Sequence, residues 1–279
     1  MTSGALKAAI ANQISRHLPR FWLERELRFR PHHFEKELWL VPILCDKSKI
    51  AIDVGANMGT YSYYMARYSK SVIAFEPNKD LWKHLRRVLG PHLPIEAAAL
   101  SGESTTATLR IDNHNTGIAT IEDKNDLSCV VDKSVVVSRT VETKPLDSFE
   151  ISNISMIKID VEGHEEAVID GAQDTIKRNR PAFIIESEDR HNPGAPRRLA
   201  STFERLGYSV FYLKNRRLMK FNTLRDEDMD PITAGGSTYI NNFIFIADEQ
   251  NRKIDRIESF LNATESERFF PSTKVGASR

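Results

Sequence analysis

The end of the first apolar run and the turn that follows it contain four residues with the types and spacing of a ligand-binding turn. Asp53 lies near the end of the run, and Gly55 and Gly59 lie four residues apart around Asn57. Glycine lets the backbone turn sharply after a strand and approach a ligand closely where a helix begins. A dinucleotide fingerprint would instead read Gly-x-Gly-x-x-Gly. The acid favours a ligand that carries a cationic group, although an ordinary strand-to-helix turn can use the same residues.

A second acid, Glu76, follows the apolar run 72–75 and lies 23 residues after Asp53. In a strand–helix–strand unit, an acid at about this distance binds ribose hydroxyls. Pro77 suits the first turn of a helix, so Glu76 could also lie beside a helix N-terminus. The two interpretations are compatible. They predict a nucleoside-binding site.

The segment 154–165 places a lysine and several acids close together. Lys158 lies inside an apolar run, and Asp160, Glu162, His164 and Glu165 follow it. A helix N-terminus attracts acids, which would explain the carboxylates but not the lysine. Because an isolated buried ammonium is costly, we expect Lys158 to pair with a carboxylate, most simply Glu186 on a neighbouring strand.

Apolar runs alternate with amphipathic stretches over most of the chain. The runs are 50–54, 72–75, 95–100, 156–159, 182–185, 210–213 and 239–246, and the predicted helices are 60–68, 78–89, 165–177 and 196–206. Buried strands separated by helices predict a Rossmann-like α/β fold, a mostly parallel seven-stranded sheet with helices on both faces. The last run should pair antiparallel at the C-terminal edge. Residues 103–140 interrupt the alternation and predict a small β insertion.

Length and composition limit the class of protein. The 279 residues and the hydrophobic fraction of 41% suit one α/β domain, 49–250, with an N-terminal helical extension, 1–48, and a C-terminal helix and frayed tail, 251–279. The net charge of +1 gives no case for nucleic-acid binding. Without an apolar stretch long enough to span a bilayer, a transmembrane segment is not expected, and we expect a cytoplasmic protein. The N-terminal helices could mediate homo-oligomerisation.

Several spaced motifs together resemble the FkbM family of methyltransferases over about residues 50 to 247. They are Val54-Gly55-Ala56-Asn57-x-Gly59, Phe75-Glu76-Pro77, Pro145-Leu146-Asp147-Ser148, the run from Ile157 to Glu165, Gly171-Ala172, and Arg180-Pro181 with Glu186. The resemblance implies a class I methyltransferase fold and S-adenosylmethionine as cofactor. It also implies O-methylation of a hydroxyl on a sugar, a glycan or a secondary metabolite.

Roles follow for individual residues. Methyl transfer to a hydroxyl benefits from a general base, and Asp160 and His164 are the two candidates. The predicted cofactor contacts are Asp53, Gly55, Asn57, Gly59, Glu76, Ser101 and Asp160, and the predicted acceptor contacts are Glu162, His114, Asn115, Glu186 and Asn242. A divalent cation such as Mg²⁺ could bind among Asp160, Glu162, Glu186, Glu188, Asp189 and His191, but no spacing is diagnostic of a metal site, so we expect no metal.

Two alternatives remain from the sequence. An NAD(P)-dependent oxidoreductase could use the same strand–helix–strand unit, although the glycine spacing argues against it. A non-catalytic methyltransferase-like binding protein could retain the fold, although the intact acids count against loss of function.

Overall fold

Twelve strands and eight α-helices form the fold in a computed structural model that describes residues 15, 17–112, 114–115, 118–125, 127, 135–234 and 239–263. The strands are β1 Ile50–Val54, β2 Ser71–Phe75, β3 Ile95–Glu96, β4 Ala99–Leu100, β5 Thr105–Asp112, β6 Ala119–Thr120, β7 Val136–Lys144, β8 Ile154–Ile159, β9 Ala182–Glu186, β10 Tyr208–Lys214, β11 Arg217–Lys220 and β12 Asn242–Ala247. The helices are α1 Pro19–Phe29, α2 Val41–Leu44, α3 Thr60–Ala66, α4 Trp82–Leu89, α5 Glu165–Asp170, α6 Gln173–Asn179, α7 Ala195–Arg205 and α8 Asn251–Asn262.

A central sheet has the strand order β11-β10-β12-β9-β8-β1-β2-β3. The strands from β9 to β3 in this order are parallel to their neighbours, because helices make the crossovers that parallel pairing requires. Alternate residues of a strand point to opposite faces. Met156 and Ile184 accordingly join one apolar core, and Ile157 and Ile185 join the other. The predicted α/β class, with helices on both faces, is confirmed.

The strand count and the position of the antiparallel strand differ from the prediction. The sheet has eight strands rather than seven, because β11 forms a hairpin with β10. Asn215 and Arg216 turn the chain with φ of 50° and 59°, as tight hairpins require. β11 is short and polar, so no apolar run reveals it. The antiparallel strand β12 lies inside the sheet between β9 and β10, not at its edge.

A second, four-stranded sheet has the order β4-β7-β5-β6 and corresponds to the predicted β insertion. The apolar run 95–100, predicted as one strand, is divided between the sheets. β3 pairs with β2 in the central sheet, whereas β4 pairs with β7 in the second sheet. The run therefore carries the chain from the central sheet into the insertion.

Part of the predicted N-terminal extension packs into the core of the α/β domain. Its described residues include the helix α1 and the single turn α2, and 3₁₀ helices form at Pro31–His33 and Lys36–Leu40. Leu38, Leu40 and Leu44 are at most 1% exposed and pack in one of the two apolar cores. The predicted helical residues 1–14 lie outside the described residues.

The helices after β8 divide the predicted stretch 165–177 into α5 and α6. A side chain at Gly171, where α5 ends, would lie 2.0 Å from the carbonyl oxygen of Ser101. The C-terminal helix α8 packs on the core through Ile257 and Leu261, and the predicted tail 264–279 lies outside the described residues. None of the helices in the described part of the chain is long and apolar enough to cross a bilayer.

Candidate cofactor and catalytic site

The largest cluster of predicted site residues lies at the carboxyl ends of β1, β2 and β8, where ligands bind in open α/β sheets. A cavity of about 630 Å³ opens there. We call it the main cavity. It is lined by Val54, Gly55, Asn57, Phe75, Glu76, Pro77, Ala98, Ala99, Leu100, Leu109, Ala119, Ile121, Asp160, Val161, Glu162 and His164. Its walls combine apolar side chains with a few polar groups, which is typical of small-molecule sites.

The turn after β1 requires glycine at position 55. Gly55 has a φ of +78°, and a Cβ there would lie 1.8 Å from the carbonyl oxygen of Asp160. The β1 turn therefore packs directly against the end of β8. Asn57 also has a positive φ, 45°, and its Oδ1 is buried with no hydrogen-bond partner among the described residues. Because a buried polar atom normally has a partner, this oxygen fits a ligand that donates a hydrogen bond.

Glu76 is held at the end of β2 by backbone amides. Its Oε2 accepts a hydrogen bond from the amide of Asn57 at 2.7 Å, and its Oε1 accepts one from Asn78 at 2.8 Å. The side chain is 5% exposed, and burial raises the pKa of Glu76 to about 7 against the effect of the two amides. Each oxygen keeps a second lone pair, so the fixed carboxylate fits a pair of ribose hydroxyls.

Two predicted cofactor contacts support the turn rather than line the main cavity. Asp53 is 2% exposed and accepts a hydrogen bond from Ser62 Oγ at 2.5 Å, and burial raises the pKa of Asp53 to about 6. Gly59 directly precedes α3 with a φ of +80°, and a Cβ there would lie 2.8 Å from the Leu85 side chain. Neither is among the residues that line the cavity. The structure therefore places both behind its wall.

Lys158 does not pair with Glu186, which corrects the prediction from the sequence. Its side chain is 1% exposed, and its ammonium lies 3.8 Å from Asp160 Oδ2 and 3.9 Å from Glu35 Oε2. It donates a hydrogen bond to Asn242 Oδ1 at 3.1 Å. β12 supplies this last partner because it lies inside the sheet, and Glu35 comes from the N-terminal segment. Neither placement could be deduced from local sequence.

Glu186 lies in the cluster around Lys158, beside the carboxylates of Glu35 and Asp160. The carboxylate oxygens of Glu35, Asp160 and Glu186 lie within 4.8 Å of one another. Burial and the nearby carboxylates raise the pKa of Glu186 well above its ordinary value. The carboxyl of Glu186 hydrogen bonds to Asp160, which also lies beside the Lys158 ammonium. We infer that Glu186 holds the proton and that Asp160 is ionised.

His164 connects the insertion to the site. Its Nε2 lies 2.9 Å from Ser101 Oγ, and its Nδ1 lies 3.2 Å from Glu122 Oε2. Thr120 and Asn125 of the insertion also donate hydrogen bonds to the carbonyl oxygen of Glu162, each at 2.8 Å. These contacts hold the second sheet against the loop after β8. Both ring nitrogens of His164 have a partner, so the orientation of the imidazole is fixed.

The predicted acceptor contacts separate into two groups. Glu162 lines the main cavity, and Glu186 and Asn242 lie at the Lys158 cluster. Burial raises the pKa of Glu162 to about 8. The structure does not bring His114 and Asn115 to the cavity; both are exposed near the end of β5. No local pattern in the sequence distinguishes Glu35, Tyr61 and Glu122 from surface or core residues, so none of the three was predicted.

Sequence comparisons find similarity to methyltransferases. Residues 53–210, more than half of the chain, match the Methyltransferase FkbM domain. Hexuronic acid methyltransferase AglP of Haloferax volcanii is 23% identical over 187 residues, which are 63% of this chain and 74% of the relative.

Two solved structures are similar at low identity. Methyltransferase FkbM from Methylobacillus flagellatus KT matches with a TM-score of 0.45 and 14% identity, over 72% of this chain and 44% of that chain. The O-methyltransferase from Bacillus cereus in complex with SAH matches with a TM-score of 0.40 and 15% identity, over 85% of this chain and 96% of that chain. The present chain thus spans less than half of the M. flagellatus protein. From its match over residues 53–210, the chain belongs to the FkbM family of methyltransferases, whose methyl donor is S-adenosylmethionine.

Proposed function

We propose that this methyltransferase transfers the methyl group of S-adenosylmethionine to a hydroxyl of a sugar or another small metabolite. The observation that carries the proposal is the position of Asp160. Its side chain lines the main cavity and also belongs to the cluster of Lys158, Glu35 and Glu186. The name of the H. volcanii relative supports a sugar acceptor. Asp160 thus lies between the main cavity and a group of ionisable side chains.

The main cavity has the polar groups that the cofactor needs. Glu76 would accept hydrogen bonds from the ribose hydroxyls, and Asn57 Oδ1 would accept one from another donor of the cofactor. Asp53 and Gly59 would act by shaping the turn, and Ser101 by fixing His164. The bound cofactor supplies an electrophilic methyl group, so the protein has to orient the acceptor and remove its proton.

Asp160 is the general base in this proposal. Burial raises the pKa of Asp160 above its ordinary value, whereas the Lys158 ammonium opposes that rise. A carboxylate with a raised pKa is a stronger base than an exposed aspartate and stays ionised beside the ammonium. Glu186, as the protonated neighbour, donates a hydrogen bond that orients Asp160. We assign His164 a positioning role, since its contacts with Ser101 and Glu122 hold the insertion against the loop after β8.

Variants of the two candidate bases test this assignment. The full chain is incubated with methyl-labelled S-adenosylmethionine and a panel of sugars and hydroxylated metabolites, and labelled products are identified by mass spectrometry. Asp160→Asn should lower turnover by about 10²–10⁴-fold and leave the affinity for S-adenosylhomocysteine close to wild type. His164→Ala should raise KM more than it lowers kcat. Wild-type turnover by Asp160→Asn would contradict the role of Asp160.

The same assay separates the proposal from its alternatives. Membership of a methyltransferase family argues against the NAD(P)-dependent oxidoreductase considered from the sequence. A non-catalytic binding protein would bind S-adenosylhomocysteine and transfer no label to any acceptor. Label on a nitrogen or carbon atom would retain the methyltransferase and reject the hydroxyl as its acceptor.

A further inference from the structure

Glu35 shares the Lys158 ammonium with Asp160, the proposed base. Its Oε2 lies 3.9 Å from Lys158 Nζ, and Asp160 Oδ2 lies 3.8 Å from the same atom. Neither distance is short enough for a hydrogen bond, and the ammonium instead donates one to Asn242 Oδ1 at 3.1 Å. The ammonium is therefore nearly equidistant from the two carboxylates and forms a hydrogen bond with neither.

A tyrosine of α3 holds Glu35 in this position. The Tyr61 hydroxyl donates a hydrogen bond to Glu35 Oε2 at 2.9 Å. Lys158 Nζ also lies 5.1 Å from the centroid of the Tyr61 ring, within range of a cation–π contact. Glu35 precedes residues 53–210, the part of the chain that matches the family domain. The match therefore assigns Glu35 no role, although the fold fixes its carboxylate beside Lys158.

Charged and titratable groups from every packed element surround Asp160 and Lys158. They are Glu35 and Glu37 of the N-terminal segment, Asp53 of β1, Tyr61 of α3, Glu76 after β2, Glu162 and Glu165 after β8, Glu186 of β9, and Glu188 with its partner Arg190 after β9. Among the described residues, Glu35 and Asp160 are the two acids that form ion pairs with the Lys158 ammonium. The substitution Glu35→Gln changes one charge in this set. Its effect on Asp160 is a difference between two proteins and does not depend on the net charge of the cluster.

The charge of Glu35 affects how strongly Asp160 binds a proton. The Glu35 side chain is 39% exposed and lies beside an ammonium, and both conditions favour its charged form. One of its oxygens lies within 4.8 Å of an oxygen of Asp160. Burial raises the pKa of Asp160, the Lys158 ammonium opposes that rise, and the Glu35 carboxylate adds to it. Without Glu35, the ammonium would pair with Asp160 alone and make it a weaker base.

We propose, on the basis of the proposed function, that Glu35 is a positioning residue for the base. By sharing the ammonium, it keeps Asp160 ionised yet basic enough to take the proton of the acceptor hydroxyl. That proton moves to the Asp160 carboxylate as the hydroxyl oxygen bonds to the methyl carbon, and the electron pair of the broken carbon–sulfur bond stays on sulfur. Glu35 acts through Lys158 rather than on the acceptor. The N-terminal segment is therefore part of the proton-transfer machinery.

Carboxyl NMR measures this coupling without an acceptor. The full chain is produced with ¹³C in its aspartate carboxyl groups, and the signal that is missing from Asp160→Asn reports Asp160. Glu35→Gln should move the titration midpoint of this signal to lower pH by about one unit or more, because a repulsion over less than 4.8 Å is lost. Asp160 and Glu186 are hydrogen bonded and titrate as a pair, and loss of a nearby negative charge lowers the midpoint of both. An unchanged midpoint would overturn the proposal and leave the proposed function standing.

Turnover shows whether the coupling is used in catalysis. With a hydroxylated acceptor from the panel above, the acidic limb of the kcat profile should move to lower pH in Glu35→Gln, and the plateau should fall several-fold because the base is weaker. A lowered NMR midpoint with an unmoved kcat profile would overturn the catalytic use of Glu35. Absence of label in every hydroxylated acceptor would reject the proposed function, and the proposal with it.

Glu24→Gln is the matched control. Glu24 is also an acid of the N-terminal segment, and a hydroxyl of α3, that of Tyr63, likewise donates a hydrogen bond to it. Its carboxylate is not part of the cluster of Glu35, Asp160 and Glu186. The control should therefore keep the wild-type NMR midpoint and kcat profile. Equal shifts in Glu24→Gln and Glu35→Gln would indicate a general effect of the segment and would overturn the assignment to Glu35.

Discussion

Glu76 offers the sharpest test of how this chain binds its cofactor. Its two carboxylate oxygens each accept one backbone amide, from Asn57 and Asn78. The substitution Glu76→Gln keeps the shape but replaces one of these oxygens by an NH₂ group. That group faces a backbone N–H and cannot accept a hydrogen bond from it or from ribose. The variant should therefore lose both the charge and one fixed acceptor.

The size of the effect follows from these contacts. A hydrogen bond to a charged group contributes about 1.5–3 kcal/mol, and its loss would weaken binding by roughly 10- to 150-fold. The affinity for S-adenosylhomocysteine, measured by isothermal titration calorimetry, should fall by this factor. The control Glu204→Gln, on the exposed surface of α7, should bind like wild type. Melting temperatures of both variants establish that each is folded.

The pH dependence provides a second readout. Because the pKa of Glu76 is about 7 in the unliganded protein, the carboxyl is protonated below that pH and must lose its proton before it can accept both hydroxyls. Wild-type affinity should therefore fall by up to about tenfold per pH unit below pH 7. Asp160 and Glu162 also line the cavity and titrate, so the difference between wild type and Glu76→Gln isolates Glu76. Parallel pH profiles and near-equal affinities would refute the reasoning.

Three further predictions concern stability and the turn. Lys158→Met should lower the free energy of unfolding in urea by about 3–5 kcal/mol. If the losses in the single variants Lys158→Met and Asn242→Leu simply add in the double variant, the hydrogen bond between Lys158 and Asn242 is contradicted. Burial raises the pKa of Glu165 to about 8 from an ordinary 4.5, so its stabilising contribution is present below about pH 4.5 and lost as pH rises through 8. The free energy of unfolding of Glu165→Gln, relative to wild type, should accordingly rise by up to about 4 kcal/mol between pH 5 and pH 8.5. Parallel plots of unfolding free energy against pH for the two proteins would contradict this. Gly55→Ala should lose S-adenosylhomocysteine binding, because its Cβ would lie 1.8 Å from the carbonyl oxygen after β8, whereas Gly90→Ala has a similar φ, meets no atom within 4 Å and should bind normally.

The sequence predicted those parts of the site that depend on local order along the chain. Gly55, Asn57 and Glu76 lie within one strand–helix–strand unit, whose short connections place both strand ends at the same edge of the sheet. The alternation of buried runs and helices predicted the α/β class for the same reason. The FkbM motifs extend this local pattern to Asp160 at the end of β8.

Only the tertiary structure decided which distant segments meet at that edge. Lys158 required a partner by its burial, but its contacts with Glu35 and Asn242 depend on two segments that are 207 residues apart in the chain. Insertion of β12 beside β9, rather than at an edge, brings Asn242 to the ammonium. Packing of Leu38, Leu40 and Leu44 in the core brings Glu35 to the other side. Strand order and long-range packing are set by the whole core, which is why the sequence alone predicted the cofactor turn but not the partners of Lys158.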